Sequence, residues 1–388
     1  MRSEIALAVG EARARAVARR PLVESLREVP RLLPPGDRPV LLVIDPGVAA
    51  AGSGAATLHA ALRDRKVETF SAFTVTPSST QAVAAAMAAI AIDAGAVVAM
   101  GGGAAIDVAK AAALGAAHRE DPVSVIEARA APTRDALPLV AIPTTAGTGS
   151  EATHFAVVYV GGVKRSLAHA SLLPAGVVMD AGLSATCPPR VAAAAGLDAL
   201  CQAMESLWAT GADDPSRADA KLAGRIAAAS LADAVRGDET ARTAMMWASH
   251  LAGHAINVSR TTAPHAASYA MSSRHGVPHG IAVALTIGHF AERLATMDER
   301  TCVHPGGVEA VRASVTDAAS WLGSDAAGMV DAMRSLLGTL GVPDSLRAAG
   351  IPRDALDGLA AAADPLRLSN HPERLDEAAI AEELRAAW

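Results

Sequence analysis

Between residues 38 and 145 one pattern recurs: a short, largely β-branched apolar run, then an alanine-rich run with helical spacing, then another apolar run. The apolar runs are RPVLLVID (38–45), VETFSAFTV (67–75), AVVAMGGG (96–103) and LPLVAIPTT (137–145). TLHAALRDR (57–65), TQAVAAAMAAIAIDAG (80–95) and AIDVAKAAALGAA (105–117) lie between them. Strands separated by helices cannot pair as hairpins; they make a parallel sheet covered on both faces. HFAVVYVGGVKRSLAHA (154–170) departs from the pattern, because Gly161-Gly162 separates two strand-like runs and predicts a hairpin. Beyond Asp180 the pattern changes again. PPRVAAAAGLDALCQAMESLWAT (188–210) opens with prolines and continues with helical periodicity, and no convincing strand follows. The expected division is an α/β unit over residues 1–184 and an all-α unit over 185–388.

Three function classes are disfavoured before any motif is read. A net charge of −6 does not suit a general nucleic-acid binder, which carries a basic face. No apolar run reaches the ~18 residues that a membrane span needs. The Arg-rich start, MRSEIALAVGEARARAVARR, lacks the apolar stretch and cleavage site of a signal peptide and reads as a solvated helix. The three cysteines, Cys187, Cys201 and Cys302, have no zinc-type spacing and are odd in number. That suits a reducing compartment, so a cytoplasmic protein is expected.

AMGGGAAIDVAK (99–110) ends a strand and opens a helix. Gly101, Gly102 and Gly103 let the backbone approach a ligand, and the helix N-terminus offers free N–H groups to a pyrophosphate. A tight strand-to-helix turn explains the same glycines, and the G-x-G-x-x-G spacing is absent. IPTTAGTGSE (142–151) is a second glycine-spaced loop after a strand, with hydroxyls on Thr144, Thr145 and Thr148. Two such loops at strand ends suit a dinucleotide lying across the sheet. Asp45, ending the first strand, could bind an adenosine ribose and would repel a 2′-phosphate, which favours NAD(H) over NADP(H). It could equally be a helix cap.

In the second half, GLDALCQAMES (196–206) puts Asp198, Gln202 and Glu205 near one helical face. A carboxylate on an apolar face is costly unless it is paired or metal-bound. TTAPHAASYAMSSRHGVPHG (261–280) supplies His265, His275 and His279. One carboxylate and two imidazoles suit zinc, iron or manganese with a position open to substrate. Taken singly, each histidine is as well explained by capping or packing.

With these motifs in place, the chain resembles the iron-containing (group III) alcohol dehydrogenases from about residue 35 onward. GGGAAIDVAK, PTTAGTGSE, GLDAL…AMES, PHAASYAMSSRHGVPHG and RLSNHP carry the resemblance. It implies a dinucleotide-binding α/β domain, a helical domain, and an active site in the cleft between them. It places the metal on Asp198, His265 and His279. The family's usual fourth ligand, a histidine, falls on Gln202, which leaves a three-ligand site with Gln202 as a weak fourth donor. It places Asp107 and Lys164 at the cofactor, and Ala104 replaces the family serine after the glycines. LDALCQAMESLW, ASHLAGHAINVSRTTAPHAASYAM and HGVPHGIAVAL are most similar to a phosphonoacetaldehyde-reducing subgroup, which implies a small phosphonate-bearing aldehyde as substrate. Arg260, Thr261, Arg274 and His254 flank the implied ligands and could hold the phosphonate. Tyr269, His275 or water could supply the proton. A homodimer is compatible with the resemblance. Another small aldehyde or a polyol as substrate, or a dinucleotide-binding homologue without catalysis, are the alternatives.

Overall fold

A computed structural model describes residues 2–388. The chain divides into two compact units, residues 13–187 and residues 188–388, the second including the first turns of the N-terminal helix up to Ala12. That helix, Arg2–Val17, is mostly exposed along its length, in line with the solvated helix read from the sequence.

The first unit is built on a six-stranded parallel sheet, with β1 at Leu22–Val23, β2 at Val40–Ile44, β3 at Val67–Phe70, β4 at Ala96–Gly101, β5 at Leu139–Pro143 and β8 at Gly176–Val178. A separate antiparallel hairpin is formed by β6 (Phe155–Val160) and β7 (Val163–Ala168). Its turn is the Gly161-Gly162 pair, both at positive φ, as the sequence predicts. The sheet order is β1-β8-β5-β4-β2-β3. Every residue of β2, β4 and β5 is buried, because helices cover both faces. Two expectations are corrected. VETFSAFTV pairs only over its first four residues, since β3 is an edge strand with solvent on one side. β1 and β8 were not foreseen; two or three residues carry no periodicity to read.

From β2 the chain steps to β3 on one side and then to β4 on the other, which makes the β2/β4 boundary the topological switch of the sheet. Ile44 pairs with Met100 and Gly101 with Pro143, so Asp45, Gly101 and Thr144 emerge level at the strands' carboxyl ends. Open parallel sheets bind ligands at this position.

The second unit is helical. Helices Pro189–Trp208, Asp214–Arg236 and Glu239–Ser259 pack against one another, followed by Ala263–His275, His279–Thr296 and shorter helices to Glu377–Ala386. Among the described residues no helix is long and apolar enough to cross a membrane.

Candidate metal and cofactor sites

In the first unit the two glycine loops interlock. A Cβ on Gly101 would stand 2.7 Å from the Ala105 Cβ and 2.8 Å from the Asp45 Cβ. One on Gly103 would stand 2.7 Å from the Thr148 side chain, and Thr145 abuts Gly102 at 3.2 Å. Only glycine fits there. Gly102 precedes helix Gly103–Ala117 without a side-chain cap, so the first-turn N–H groups face outward as an anion would require. Thr144 donates its N–H to the Gly101 carbonyl at 3.0 Å, and Thr148 Oγ1 accepts from the Ser150 N–H.

Asp45 does what the bland reading expected: its Oδ1 accepts from the N–H groups of Gly47 (2.8 Å) and Val48 (3.4 Å) and caps helix Pro46–Ala51. Asp107 has a structural role in the loop. Both of its oxygens are engaged within the unit, one by the Ser150 hydroxyl (2.6 Å) and one by the Val157 N–H (3.0 Å), so it braces the loop. Lys164, opposite Tyr159 in the hairpin, is close enough to Asp107 to favour its charge. Lys110 is fully buried, with Nζ donating to the carbonyls of Ser150 (2.6 Å), Thr153 (2.8 Å) and Phe155 (2.8 Å). Burial pulls its pKa down to about 8, against the raising pull of Asp107 and Glu151.

In the helical unit, Asp198, His265 and His279 converge: each offers one ligand atom, all within 4.8 Å of one another. Asp198 sits mid-helix in Pro189–Trp208, His265 in the first turn of Ala263–His275, and His279 opens the next helix. Gly280 makes the convergence feasible, since a Cβ there would lie 2.0 Å from the Ala194 carbonyl oxygen. The His279 helix therefore seats directly on the backbone of the acidic helix. His265 Nε2 is 3.2 Å and His279 Nε2 3.9 Å from Asp198 Oδ1.

The ring protons are fixed from behind. His265 Nδ1 donates to the Glu205 carboxylate, whose Oε1 also accepts from the N–H and hydroxyl of Thr262 at 2.7 and 2.8 Å. The Ser268 hydroxyl donates to the His265 carbonyl at 2.8 Å, which leaves its oxygen to accept from His279 Nδ1 at 3.3 Å. Both imidazoles thus turn Nε2 toward the Asp198 carboxylate. Two imidazole nitrogens and a carboxylate converging on one point form a donor set that a divalent cation would stabilise, displacing any proton held between them. Burial works against charge on His265, yet the Glu205 carboxylate and the hydrogen bonds to Asp198 and Glu205 raise its pKa to about 10. That field is cation-seeking. Gln202, one turn beyond Asp198, is buried on the same helix.

The remaining residues separate. The Tyr269 ring stacks on His279 at 5.6 Å and 24°. Arg260, half-buried, and Thr261, buried, lie in the short connection just before the His265 helix. His275 closes that helix ten residues beyond His265, about 15 Å of axial rise away. Arg274 is exposed and donates to the Gly358 carbonyl at 3.2 Å. Neither is brought to the cluster by a contact. His254 pairs with His250, Nε2 to Nε2 at 3.2 Å. Glu205, Arg367 and Asn370 were given no role from sequence. Glu205 shares the Asp198 face of its helix, a signal that was available, whereas Arg367 and Asn370 lie about a hundred residues away in RLSNHP.

The sequence matches two family models: iron-containing alcohol dehydrogenase over residues 23–181, and the C-terminal domain of the Fe-containing alcohol dehydrogenase family over 192–388. The chain belongs to the iron-containing alcohol dehydrogenase family and is an oxidoreductase. A phosphonoacetaldehyde reductase of Streptomyces viridochromogenes is 34% identical over 321 residues, 79% of this chain and 78% of that protein. The sulfoacetaldehyde reductase of Bifidobacterium kashiwanohense, solved in complex with NAD+, superposes with a TM-score of 0.79 at 26% identity, covering 95% of this chain and 96% of that one. A 1,3-propanediol oxidoreductase superposes with a TM-score of 0.83 at 26% identity, covering 95% and 97%.

Proposed function

We propose that this chain uses NADH to reduce phosphonoacetaldehyde to 2-hydroxyethylphosphonate at a three-ligand metal centre. The observation that carries the reading is the convergence of Asp198, His265 and His279, with Nδ1 of each imidazole hydrogen-bonded on the side away from the shared point. When bound there, a divalent cation such as iron, zinc or manganese would supply Lewis-acid polarisation of the aldehyde. NADH would supply the hydride. NAD(H) is favoured over NADP(H) because Asp45 sets a negative charge at the end of β2, where a 2′-phosphate would be repelled.

The rest is the work of the chain's own residues. Glu205 holds His265 in one tautomer and one orientation. Tyr269, stacked on His279, is the proton source of choice for the alkoxide; the Arg367 guanidinium bonded to its hydroxyl at 3.3 Å favours release of the phenolic proton. Gly101, Gly102 and Gly103 receive the pyrophosphate through backbone N–H groups, with Thr144, Thr145 and Thr148 on the facing loop. Arg260 and Thr261 serve the phosphonate. The phosphonate substrate is supported by the 34% identical phosphonoacetaldehyde reductase. The test is NADH oxidation with phosphonoacetaldehyde and with propanal, zinc, iron and manganese being supplied in turn. Oxidation by phosphonoacetaldehyde at the higher kcat/KM is expected. A preference for propanal would remove the substrate assignment, and inactivity toward every aldehyde with all three metals would remove the reaction.

A further inference from the structure

We infer that Arg367 and Arg260 form a two-guanidinium clamp for a tetrahedral oxyanion on the carbon next to the aldehyde, and that this clamp sets substrate specificity. The inference rests on the reading of the metal centre given above and extends it to a residue of RLSNHP that had been given no role.

Arg367 is 7% exposed, at the end of the short helix Pro365–Leu368. Its Nε donates to the Tyr269 hydroxyl at 3.3 Å. Its two Nη nitrogens donate to nothing among the described residues. Asp364 and Glu205 are near enough to favour its charge, but neither accepts a hydrogen bond from its side chain; Asp364 is occupied capping the N–H groups of Leu366 and Arg367. The side chain is largely buried, yet its Nη donors keep a path to solvent along which an anionic ligand could reach them. Tyr269 fixes where those donors lie, because its ring stacks on the metal-site His279.

Arg260 is delivered to the same place by its backbone. It adopts φ 62° and ψ −173°, a conformation that side-chain-bearing residues avoid and that needs outside support. Asn370 supplies it: its Nδ2 donates to the carbonyls of Ser259 (2.7 Å) and Thr261 (3.0 Å), the two residues flanking Arg260. The Asn370 N–H in turn bonds the Arg367 carbonyl at 3.2 Å. One four-residue segment therefore carries one arginine and sets the backbone of the other. Their proximity shows electrostatically as well, since the Arg260 pKa is lowered by burial and then by the charge of Arg367. Two half-hidden cations that repel each other beside a metal centre are a poor arrangement for a neutral aldehyde and a good one for an anionic one. Planar guanidinium forks match phosphonate and sulfonate oxygens alike. Arg274, tied to the Gly358 carbonyl, and His254, tied to His250, take no part.

The test uses probes that cannot be reduced. The metal-loaded full-length protein, its Arg367→Gln and Arg367→Lys variants, and Arg260→Gln are titrated calorimetrically with ethylphosphonate and with ethanesulfonate. Arg367→Gln and Arg260→Gln are expected to weaken anion binding roughly 10- to 100-fold, the loss of a charged hydrogen-bonded contact, and Arg367→Lys to weaken it less. Tighter wild-type binding of ethylphosphonate supports the clamp and assigns a phosphonate; tighter binding of ethanesulfonate supports the clamp and assigns a sulfonate. Should Arg367→Gln fail to fold, Arg367→Lys decides: unaltered anion binding by the lysine variant would count against a fork-shaped contact. The clamp is overturned if the wild-type protein binds neither probe, or if Arg367→Gln binds both as well as wild type. Because no hydride moves in this assay, anion binding without any aldehyde reduction would refute the reaction and spare the clamp. Phosphonoacetaldehyde reduction with the same phosphonoacetaldehyde-to-propanal kcat/KM ratio in Arg367→Gln would do the reverse.

Discussion

On the proposed function, the glycine corner of the sheet and the Asp198–His265–His279 cluster of the helical unit would solve the same problem, holding a charged ligand, by opposite means. The corner is made of absence: Gly101 and Gly103 sit where a single added carbon would overlap Asp45, Ala105 or Thr148, and the groups it would offer a ligand are backbone N–H. The cluster is made of charge: Asp198, His265 and Glu205 are 3%, 3% and 0% exposed, and each depends on the others to justify its burial. A backbone site should tolerate changes in its side-chain neighbours and fail when volume is added. A side-chain site should fail when any one charge is removed.

The sharpest way to break the comparison is at the ligands. His265→Ala or His279→Ala is expected to abolish bound metal, read by elemental analysis of the purified variant, and to reduce turnover by about 1,000-fold or more. Turnover that survives in a metal-free variant would show that the cluster is only a buried ion pair. Next in size, Glu205→Gln should weaken metal affinity by roughly 10- to 100-fold while leaving the three ligands in place, as loss of an orienting partner does; a chelator titration reads it directly. Gly101→Ala should raise the KM for NADH by about tenfold with little change in metal content, since its cost falls on ligand approach. A metal loss equal to the KM effect would mean the two sites are not independent. The smallest effect is expected at Asp45→Ala. It loses two capping bonds worth about 1 kcal/mol, visible as a lower Tm, and narrows the NADH-over-NADPH preference. An unaltered NADH/NADPH ratio would leave Asp45 as a cap alone.

How much of this could be read from the chain follows the same division. The glycine corner was legible because backbone geometry demands glycine at fixed places after a strand, and those places are contiguous in sequence. The cluster was legible in Asp198, His265 and His279, since ligand chemistry restricts residue type. Its supports were less so. Glu205 stood in view without a role, because its partner, His265 Nδ1, is sixty residues away. Arg367 and Asn370 act on the segment around Arg260 from over a hundred residues further on, and no local pattern announces such a pairing. The bracing role of Asp107 was hidden for the complementary reason: its partners, Ser150 and Val157, lie more than forty residues further on. Arg274 and His275 were chosen for nearness in sequence to His279; they end the helix that His265 begins, and Arg274 bonds the Gly358 carbonyl.

The lysine cage behind the second glycine loop has a kinetic corollary. Lys110 draws the carbonyls of Ser150, Thr153 and Phe155 around one ammonium, so the loop that ends in Ser150 already has its shape fixed from within the protein. A dinucleotide arriving there would have little disorder to quench, and its entropy loss would be mostly its own. Cofactor capture should then run as fast as encounter allows, and residence time, set at the exit step, should be where this enzyme's turnover is throttled.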